Sequence, residues 1–207
     1  MMNNNIEQQQ VNGELEMKNP TFKEEFEKYV EFVEFPQELY MNETMFEELW
    51  LMRPVEPNVM IMWGKQISAP RRYKVFGKPY IFTGMSNVVV DEVPDMLQKY
   101  VNYVNEISEK DYNSILINWY VENDYIGFHS DDERGMVKES DIYSVSFGGT
   151  RVMRFKEKKS GECVDVHLKN NEMIKMKKGC QQKCKHSILK KKTQINPRIN
   201  ITFRCMK

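Results

Sequence analysis

The sequence predicts a mainly β protein with flanking helices (α+β), in which residues 114–207 form a jelly roll. Three observations in that region favour this fold class: apolar and polar side chains alternate, the alternating segments are short, and polar or glycine-bearing links separate them. The segments are SILINWYV, DIYSVSFGG, RVMRFKEK, CVDVHLK, NEMIKMKK, KHSILKK and RINITFRC. Because side chains two apart share one face of a strand, each segment can turn one face toward a core.

The N-terminal half predicts a tail, two helices and several short strands. Residues 1–19 are rich in Asn and Gln and contain few apolar side chains, so we expect them to be disordered. Helical spacing of apolar residues predicts packing helices in PTFKEEFEKYVEFVEF, which begins at Pro20, and in PDMLQKYVNYVNEI, which begins at Pro94. Residues 58–84, between them, are dense in Gly, Pro, aromatic and β-branched residues, as expected for short strands joined by tight turns.

Charge is distributed unevenly along a chain of 207 residues whose formal net charge is zero. Residues 151–207 contain 17 Lys and Arg but 4 Asp and Glu, so this part carries +13 and the rest carries −13. A basic segment suits a polyanion such as nucleic acid, although a solvated lysine-rich surface is the alternative.

The cysteines and the N-terminus bear on the cellular location. The four cysteines lack regular spacing, and no signal peptide or spanning segment is recognisable. We therefore expect an intracellular protein, nuclear or cytoplasmic, without a membrane partner.

The segment NWYVENDYIGFHSDDERG, residues 118–135, is the strongest candidate site. His129 and Asp131 lie two residues apart and can point to one side of an extended chain, where both could bind one metal ion. This pattern is common, so a third ligand is required. His167 alternates with apolar residues in a predicted surface strand, whereas His186 follows a glycine-bearing turn and enters another strand. The sequence favours His186.

The last predicted strand, PRINITFR, carries a second set of polar side chains. Its polar face contains Arg198, Asn200, Thr202 and Arg204, and its other face is apolar. Two arginines on one buried face are costly unless they meet anions, and a small dicarboxylate would pair with both. An edge strand with its polar face in water is the alternative. Two histidines and one carboxylate on an iron ion leave positions open for such a cosubstrate and for oxygen, as in non-haem Fe(II) oxygenases.

Taken together, these segments resemble the AlkB-type dioxygenases, which depend on Fe(II) and 2-oxoglutarate. The resemblance runs from about residue 60 to the C-terminus, in order, through APRRYKVFG, YIFTG, LINWY, HSDDE, SVSFGG, KHSI and PRINITFR. It is closest to members that act on duplex DNA, which have a double-stranded β-helix covered by an N-terminal nucleotide-recognition lid. The resemblance thus implies helices and a lid over residues 20–113 and a catalytic core over residues 114–207.

The resemblance also implies roles for individual residues. The implied iron ligands are His129, Asp131 and His186, and the implied 2-oxoglutarate residues are Asn118, Tyr120, Arg198, Asn200 and Arg204. In the family the first arginine binds the distal carboxylate and the second binds the one beside the keto group. The implied substrate-binding residues are Trp63, Arg71, Tyr80, Phe82, Asp132 and Glu133. Of these, Trp63 would wedge into the DNA helix, and Phe82 would hold the extruded base against His129. Ordinary core packing is the alternative for the three aromatic residues.

The implied activity is oxidative dealkylation of 1-methyladenine and 3-methylcytosine in DNA, with decarboxylation of 2-oxoglutarate to succinate and release of formaldehyde. The expected partners are molecular oxygen and nucleic acid with alkylated bases, DNA being favoured over RNA, and the protein is expected to be a monomer. Two alternatives are a demethylase of single-stranded nucleic acid or RNA, and a catalytically silent jelly roll that binds nucleic acid. The chain departs from the family in MIKMKKGCQQKCKH, before His186, and in lacking a glycine near Asn171.

Overall fold

A computed structural model describes residues 8–11, 14–17, 20–62, 64–79, 90–133, 135–190 and 196–207. Its strands are β1 (Gln8–Val11), β2 (Glu14–Met17), β3 (Val30–Val33), β4 (Val59–Met62), β5 (Lys65–Ser68), β6 (Arg72–Gly77), β7 (Val90–Asp91), β8 (Ser114–Tyr120), β9 (Ile126–His129), β10 (Ile142–Gly148), β11 (Arg151–Glu157), β12 (Cys163–Leu168), β13 (Glu172–Met176), β14 (Cys184–Ile188) and β15 (Arg198–Arg204). Its helices are α1 (Phe22–Glu25), α2 (Glu43–Leu51), α3 (Asp95–Ser108) and α4 (Cys180–Lys183), with 3₁₀ turns at Phe26–Lys28 and Gln37–Leu39.

Two sheets form the body of the protein. The larger sheet has the strand order β3-β13-β10-β15-β8-β6-β7, and the smaller sheet has the order β12-β11-β14-β9. Pairing is antiparallel throughout both sheets except between β6 and β7. This arrangement confirms the predicted mainly β, jelly-roll fold. Strands β3, β6 and β7 precede residue 114 yet belong to the larger sheet, so the sheet continues across the division expected at residues 113 and 114.

The larger sheet is covered on both faces. Leu97, Tyr100 and Val104 of α3 pack in one apolar cluster with alternate residues of β8, β10 and β15, such as Ile117 and Ile201. Side chains from both sheets share a second apolar cluster. Every residue of β15 is buried, which makes it a central strand and excludes the edge strand considered from the sequence. Its polar face therefore looks into the space between the two sheets.

Helix α3 and the strands predicted from residue 114 onward are present as expected, and β4, β5 and β6 confirm the short strands for the described part of residues 58–84. Helix α2 was not predicted; Asn42 caps it by accepting a hydrogen bond from the backbone of Met45, with 2.9 Å between oxygen and nitrogen. Within the described ranges, no helix is long and apolar enough to span a bilayer.

The helix predicted from Pro20 is wrong beyond its first turns. Thr21 and Glu24 form a capping box at the start of α1, but the helix and the 3₁₀ turn after it end at Lys28. Residues 30–33 then extend and pair with β13, where Glu31 forms an ion pair with Lys175 at 2.5 Å. Backbone pairing with the larger sheet and the β-branched valines outweigh the helical spacing of the apolar residues.

The expected disorder of residues 1–19 does not extend to β1 and β2, which pair with each other in antiparallel orientation. The register joins Val11 to Glu14, so a two-residue Asn-Gly link separates the strands. Asn-Gly is the dipeptide that two-residue hairpin turns favour, so the sequence between the two strands is compatible with their pairing.

Candidate active site

A cavity of about 520 Å³ lies between the two sheets. The smaller sheet lines it with Ile126, Gly127, Phe128, His129, Met153, Leu168, His186 and Ile188, and the larger sheet lines it with Leu116, Asn118, Tyr120, Ser144, Met176, Arg198, Asn200, Thr202 and Arg204. All six polar residues that the sequence singled out on β8 and β15 therefore face this one cavity. The cavity rim includes Tyr125 and Phe128, whose side chains are exposed.

His129, Asp131 and His186 converge at the edge of this cavity. Antiparallel pairing of β9 with β14 sets the two histidines directly opposite each other, with ring centroids 4.2 Å apart. Asp131 follows the end of β9, and its carboxylate oxygens lie 3.5 Å from His129 Nε2 and 3.9 Å from His186 Nε2. One ligand atom from each residue lies within 4.8 Å of the others, so the three side chains form a candidate metal site. Two imidazoles and one carboxylate suit iron.

The charges of Asp131 and His186 fit metal binding. Burial alone would raise the pKa of the Asp131 carboxyl, but Arg204, His186 and His129 together hold this pKa well below its usual value. Burial and the neighbouring His129 lower the pKa of His186 to about 3. At neutral pH the site therefore presents an ionised carboxylate and a neutral imidazole at His186, which are the protonation states that bind metal ions.

The two arginines of β15 have different partners. Arg204 donates from Nη2 to Asp131 Oδ2 at 2.6 Å, a pair that is buried on both sides. Arg198 is fully buried, lies over the Tyr120 ring with 4.9 Å from Cζ to the ring centroid, and donates from Nη2 to Ser146 Oγ at 2.9 Å. In the part of the chain that the structure describes, its buried Nε and Nη1 atoms and the Tyr120 hydroxyl form no hydrogen bond of good geometry, although Arg198 and Tyr120 lie close enough to interact electrostatically.

Other predicted residues complete the wall of the cavity. Arg71 donates from Nε to Asn118 Oδ1 at 2.6 Å, which brings a predicted substrate residue into contact with a predicted cosubstrate residue. Asn200 donates to Ser144 Oγ and to the Val145 carbonyl, at 2.8 and 2.9 Å. These hydrogen bonds hold the Asn200 amide in a fixed orientation in the cavity wall.

The structure separates the remaining candidates. Glu133 lines both the cavity and a neighbouring pocket of about 250 Å³, whereas Asp132 is exposed and lines the neighbouring pocket but not the cavity. His167 is exposed on β12 and lies outside the metal cluster. Trp63, Tyr80 and Phe82 lie outside the described residues, so their predicted roles stay predictions.

The segment before His186 contains a residue that the sequence did not reveal. Gln181, in α4, accepts a hydrogen bond from the Asp131 backbone nitrogen at 2.9 Å and is buried. Fifty positions separate the two residues, and no local pattern connects them; the only signal was the departure of GCQQKCKH from the family. The other departure, at Asn171, has a local explanation: Asn171 has φ of 57°, and asparagine tolerates the left-handed conformation for which glycine is the usual choice.

Comparisons with known proteins agree with this geometry. The model of the 2OG-Fe(II) oxygenase superfamily matches residues 43–204. The chain is 32% identical over 155 residues to "DNA oxidative demethylase ALKBH2" of Mus musculus, covering 69% of this chain and 64% of that protein. It is 27% identical over 173 residues to "Alpha-ketoglutarate-dependent dioxygenase alkB homolog 3" of Bos taurus, covering 78% and 60%. The matched region thus spans less than two thirds of these relatives, and their names confirm the AlkB-type resemblance.

The fold agrees as well. A solved structure described as "The structure of OsALKBH1" matches with a TM-score of 0.56 at 12% identity, over 84% of this chain and 97% of that one. At this identity the likeness concerns the fold alone.

Proposed function

This chain belongs to the 2OG-Fe(II) oxygenase superfamily, and on this premise we propose that it is an oxidative dealkylase of nucleic-acid bases. One observation carries the proposal: His129, Asp131 and His186 converge on a cavity whose opposite wall holds the buried guanidinium of Arg198. The first group can hold Fe(II), and the second can hold a carboxylate of 2-oxoglutarate.

The donors of the cavity fit the cosubstrate. Among the described residues, the Nε and Nη1 of Arg198 and the hydroxyl of Tyr120 are buried hydrogen-bond donors that form no hydrogen bond of good geometry, and a buried donor without such a bond is unfavourable. A carboxylate would satisfy them, so we assign the distal carboxylate of 2-oxoglutarate to Arg198 and Tyr120. Arg204 already holds Asp131, and we propose that it also faces the carboxylate beside the keto group. Asn118 and Asn200 complete the wall.

Iron held by His129, Asp131 and His186 would, with 2-oxoglutarate and oxygen, supply oxidation of an N-alkyl carbon, and the products would be succinate, carbon dioxide, formaldehyde and the repaired base. The protein's residues do the positioning. Arg204 keeps Asp131 ionised and oriented, and burial keeps His186 neutral. The apolar side chains of the cavity, including Met153 and Ile188, exclude water from the reacting atoms.

Several features support a nucleic-acid substrate. The curated relatives are named for DNA demethylation or as alkB homologues. At the rim, Lys156 lies 5.8 Å from the Phe128 ring centroid and Lys190 lies 5.8 Å from that of Tyr125. Exposed aromatic rings can stack on bases, and the lysines beside them can bind phosphates. Glu133 in the cavity suits 1-methyladenine or 3-methylcytosine, because a carboxylate offsets the positive charge that alkylation gives these bases.

The test has two stages. Anaerobic addition of Fe(II) and 2-oxoglutarate should produce the visible charge-transfer band of the ternary complex. With oxygen, a methylated oligonucleotide should then stimulate release of succinate. Comparison of duplex DNA, single-stranded DNA and RNA distinguishes the proposed DNA preference from the alternatives, and a duplex preference that survives Trp63→Ala would contradict the wedge role of Trp63.

Matched histidine variants test the ligand assignment. His129→Ala and Asp131→Ala should abolish both the band and turnover, because each removes a ligand from a three-residue site. His167→Ala, on an exposed strand, should change neither. Loss of the band in His167→Ala would refute the ligand set. A protein that binds oligonucleotide but never gives the band would be the silent jelly roll.

A further inference from the structure

The loop that contains Asp131 begins directly after His129, where strand β9 ends, and so lies next to the candidate metal site. Antiparallel pairing of β9 with β14 is registered at His129 and His186. Continued by two residues, the same register would place Asp131 opposite Cys184. Strand β9 instead ends at His129, so the backbone of residues 130–132 has no ladder of its own. Arg204 holds the Asp131 carboxylate itself, but the backbone of this loop needs other contacts if the carboxylate is to keep a fixed position.

Side chains provide the connection that the ladder lacks. Ser130 donates from Oγ to the Cys184 carbonyl at 3.4 Å, a long bond, and the Asp131 nitrogen donates to Gln181 Oε1 at 2.9 Å, a bond of ordinary length. The second contact is the stronger one. It is also buried, because Gln181 and Asp131 are 7% and 4% exposed.

Gln181 is itself held on both ends. Its Nε2 lies 3.5 Å from Met176 Sδ, and its backbone carbonyl accepts from Lys158 Nζ at 2.6 Å. It lies in α4, whose last residue adjoins β14, and His186 follows only five residues after Gln181. The short helix α4 therefore connects the two ligands: it contacts Asp131 through Gln181 and leads directly into the strand that contains His186.

We propose that Gln181 is a positioning residue for the metal site: its side-chain oxygen fixes the backbone of Asp131 and sets the carboxylate against His129 and His186. This inference rests on the proposed function, since it concerns the same iron site. Without Gln181, metal binding would have to order the loop at residues 130–132 as well as bind the ion, and ordering backbone costs free energy. Loss of such an outer partner typically weakens metal binding by about 10- to 100-fold.

The chain contains its own control. Gln182 is the same residue type, adjacent in α4, but exposed. Gln181→Met keeps the length of the side chain and removes the acceptor oxygen; Gln182→Met makes the same change on the surface. Gln181→Glu restores an acceptor oxygen at the same position. Binding of Mn(II) to the metal-free protein, followed by the EPR signal of free Mn(II), measures affinity without cosubstrate or turnover.

We expect Gln181→Met to bind Mn(II) about 10- to 100-fold more weakly than wild type, Gln182→Met to equal wild type, and Gln181→Glu to recover most of the lost affinity. Unchanged affinity in Gln181→Met would overturn the inference, as would a Gln181→Glu variant as weak as Gln181→Met. Thermal unfolding of the metal-free variants separates a folding defect: a positioning role predicts lost affinity even where the melting temperature is kept. Wild-type protein that binds no Mn(II) would count against the iron site itself, a distinct failure.

Discussion

Replacement of Arg198 by methionine should have opposite effects on folding and on cosubstrate binding. Burial is the main reason that the pKa of Arg198 falls from its usual value to about 10. The unfolded chain, with the higher pKa, holds the proton more tightly, so at every pH well below 10 the charged guanidinium costs the folded protein free energy. At about 1.4 kcal/mol for each pKa unit, the cost is about 3 kcal/mol at pH 7.

Methionine removes this cost but leaves Ser146 Oγ without the hydrogen bond it receives at 2.9 Å. A hydrogen bond of this kind contributes about 1 kcal/mol. The metal-free variant should therefore gain about 2 kcal/mol in free energy of unfolding, which for a protein of this size raises the melting temperature by about 4–8 °C. Cosubstrate binding should move the other way: truncating one partner of a buried charge pair costs about 2–5 kcal/mol, or about 30-fold or more in affinity.

Thermal unfolding with and without 2-oxoglutarate, in the presence of Mn(II), measures both effects. Wild type should be stabilised by the cosubstrate, and Arg198→Met should start higher and gain much less at the same cosubstrate concentration. The matched control is Arg154→Met, since Arg154 is an exposed arginine paired with Asp165 at 2.6 Å and should leave both values unchanged. An Arg198→Met protein that is less stable than wild type and gains as much stability from 2-oxoglutarate as wild type does would refute the reasoning on both counts.

Burial and exposure of single side chains predict three further outcomes. Burial lowers the pKa of His186 to about 3, so below about pH 6.5 protons bind the unfolded chain in preference to the folded one. The free energy of unfolding of the metal-free protein should therefore fall by about 2 kcal/mol between pH 7 and pH 5. Urea denaturation should show a smaller fall for His186→Gln, and equal falls would contradict the prediction. Iodoacetamide should label exposed Cys163 in the native protein and spare buried Cys184, as mass spectrometry can show. Phe128→Ala should weaken binding of a single-stranded oligonucleotide by about 1–3 kcal/mol in fluorescence anisotropy, whereas Phe32→Ala, an exposed ring on β3, should not.

The strands around the site could be predicted because alternation is a local signal that the fold uses directly. In β15, alternate residues face the helices and the cavity, so the sequence PRINITFR already separates Ile201 from Arg198 and Arg204. The sequence left open whether the polar face meets water or a ligand. That depends on the position of β15 in the middle of the larger sheet, which pairing with β8 and β10 decides.

The misassigned segments are those in which partners distant in sequence decide the conformation. Residues 30–33 have helical spacing, yet they extend because β13, some 140 positions later, offers a free sheet edge. Gln181 is a comparable case within the site. Its function depends on a hydrogen bond to Asp131 across 50 positions, and nothing in the neighbouring sequence reports such a contact.

The cavity divides into two halves that belong to different sheets. The histidines lie on β9 and β14 of the smaller sheet, and Arg198 lies on β15 of the larger sheet. Asp131 joins them, because its loop follows β9 while its carboxylate pairs with Arg204 of β15. The free-energy changes of mutations at residues without shared partners are nearly additive, so the effects of Gln181→Met and Arg198→Met should add in the double variant. Any variant of Arg204 should instead weaken the binding of both the metal and the cosubstrate. The jelly roll makes this division possible, since it closes two sheets over one space that the ion pair of Asp131 and Arg204 spans.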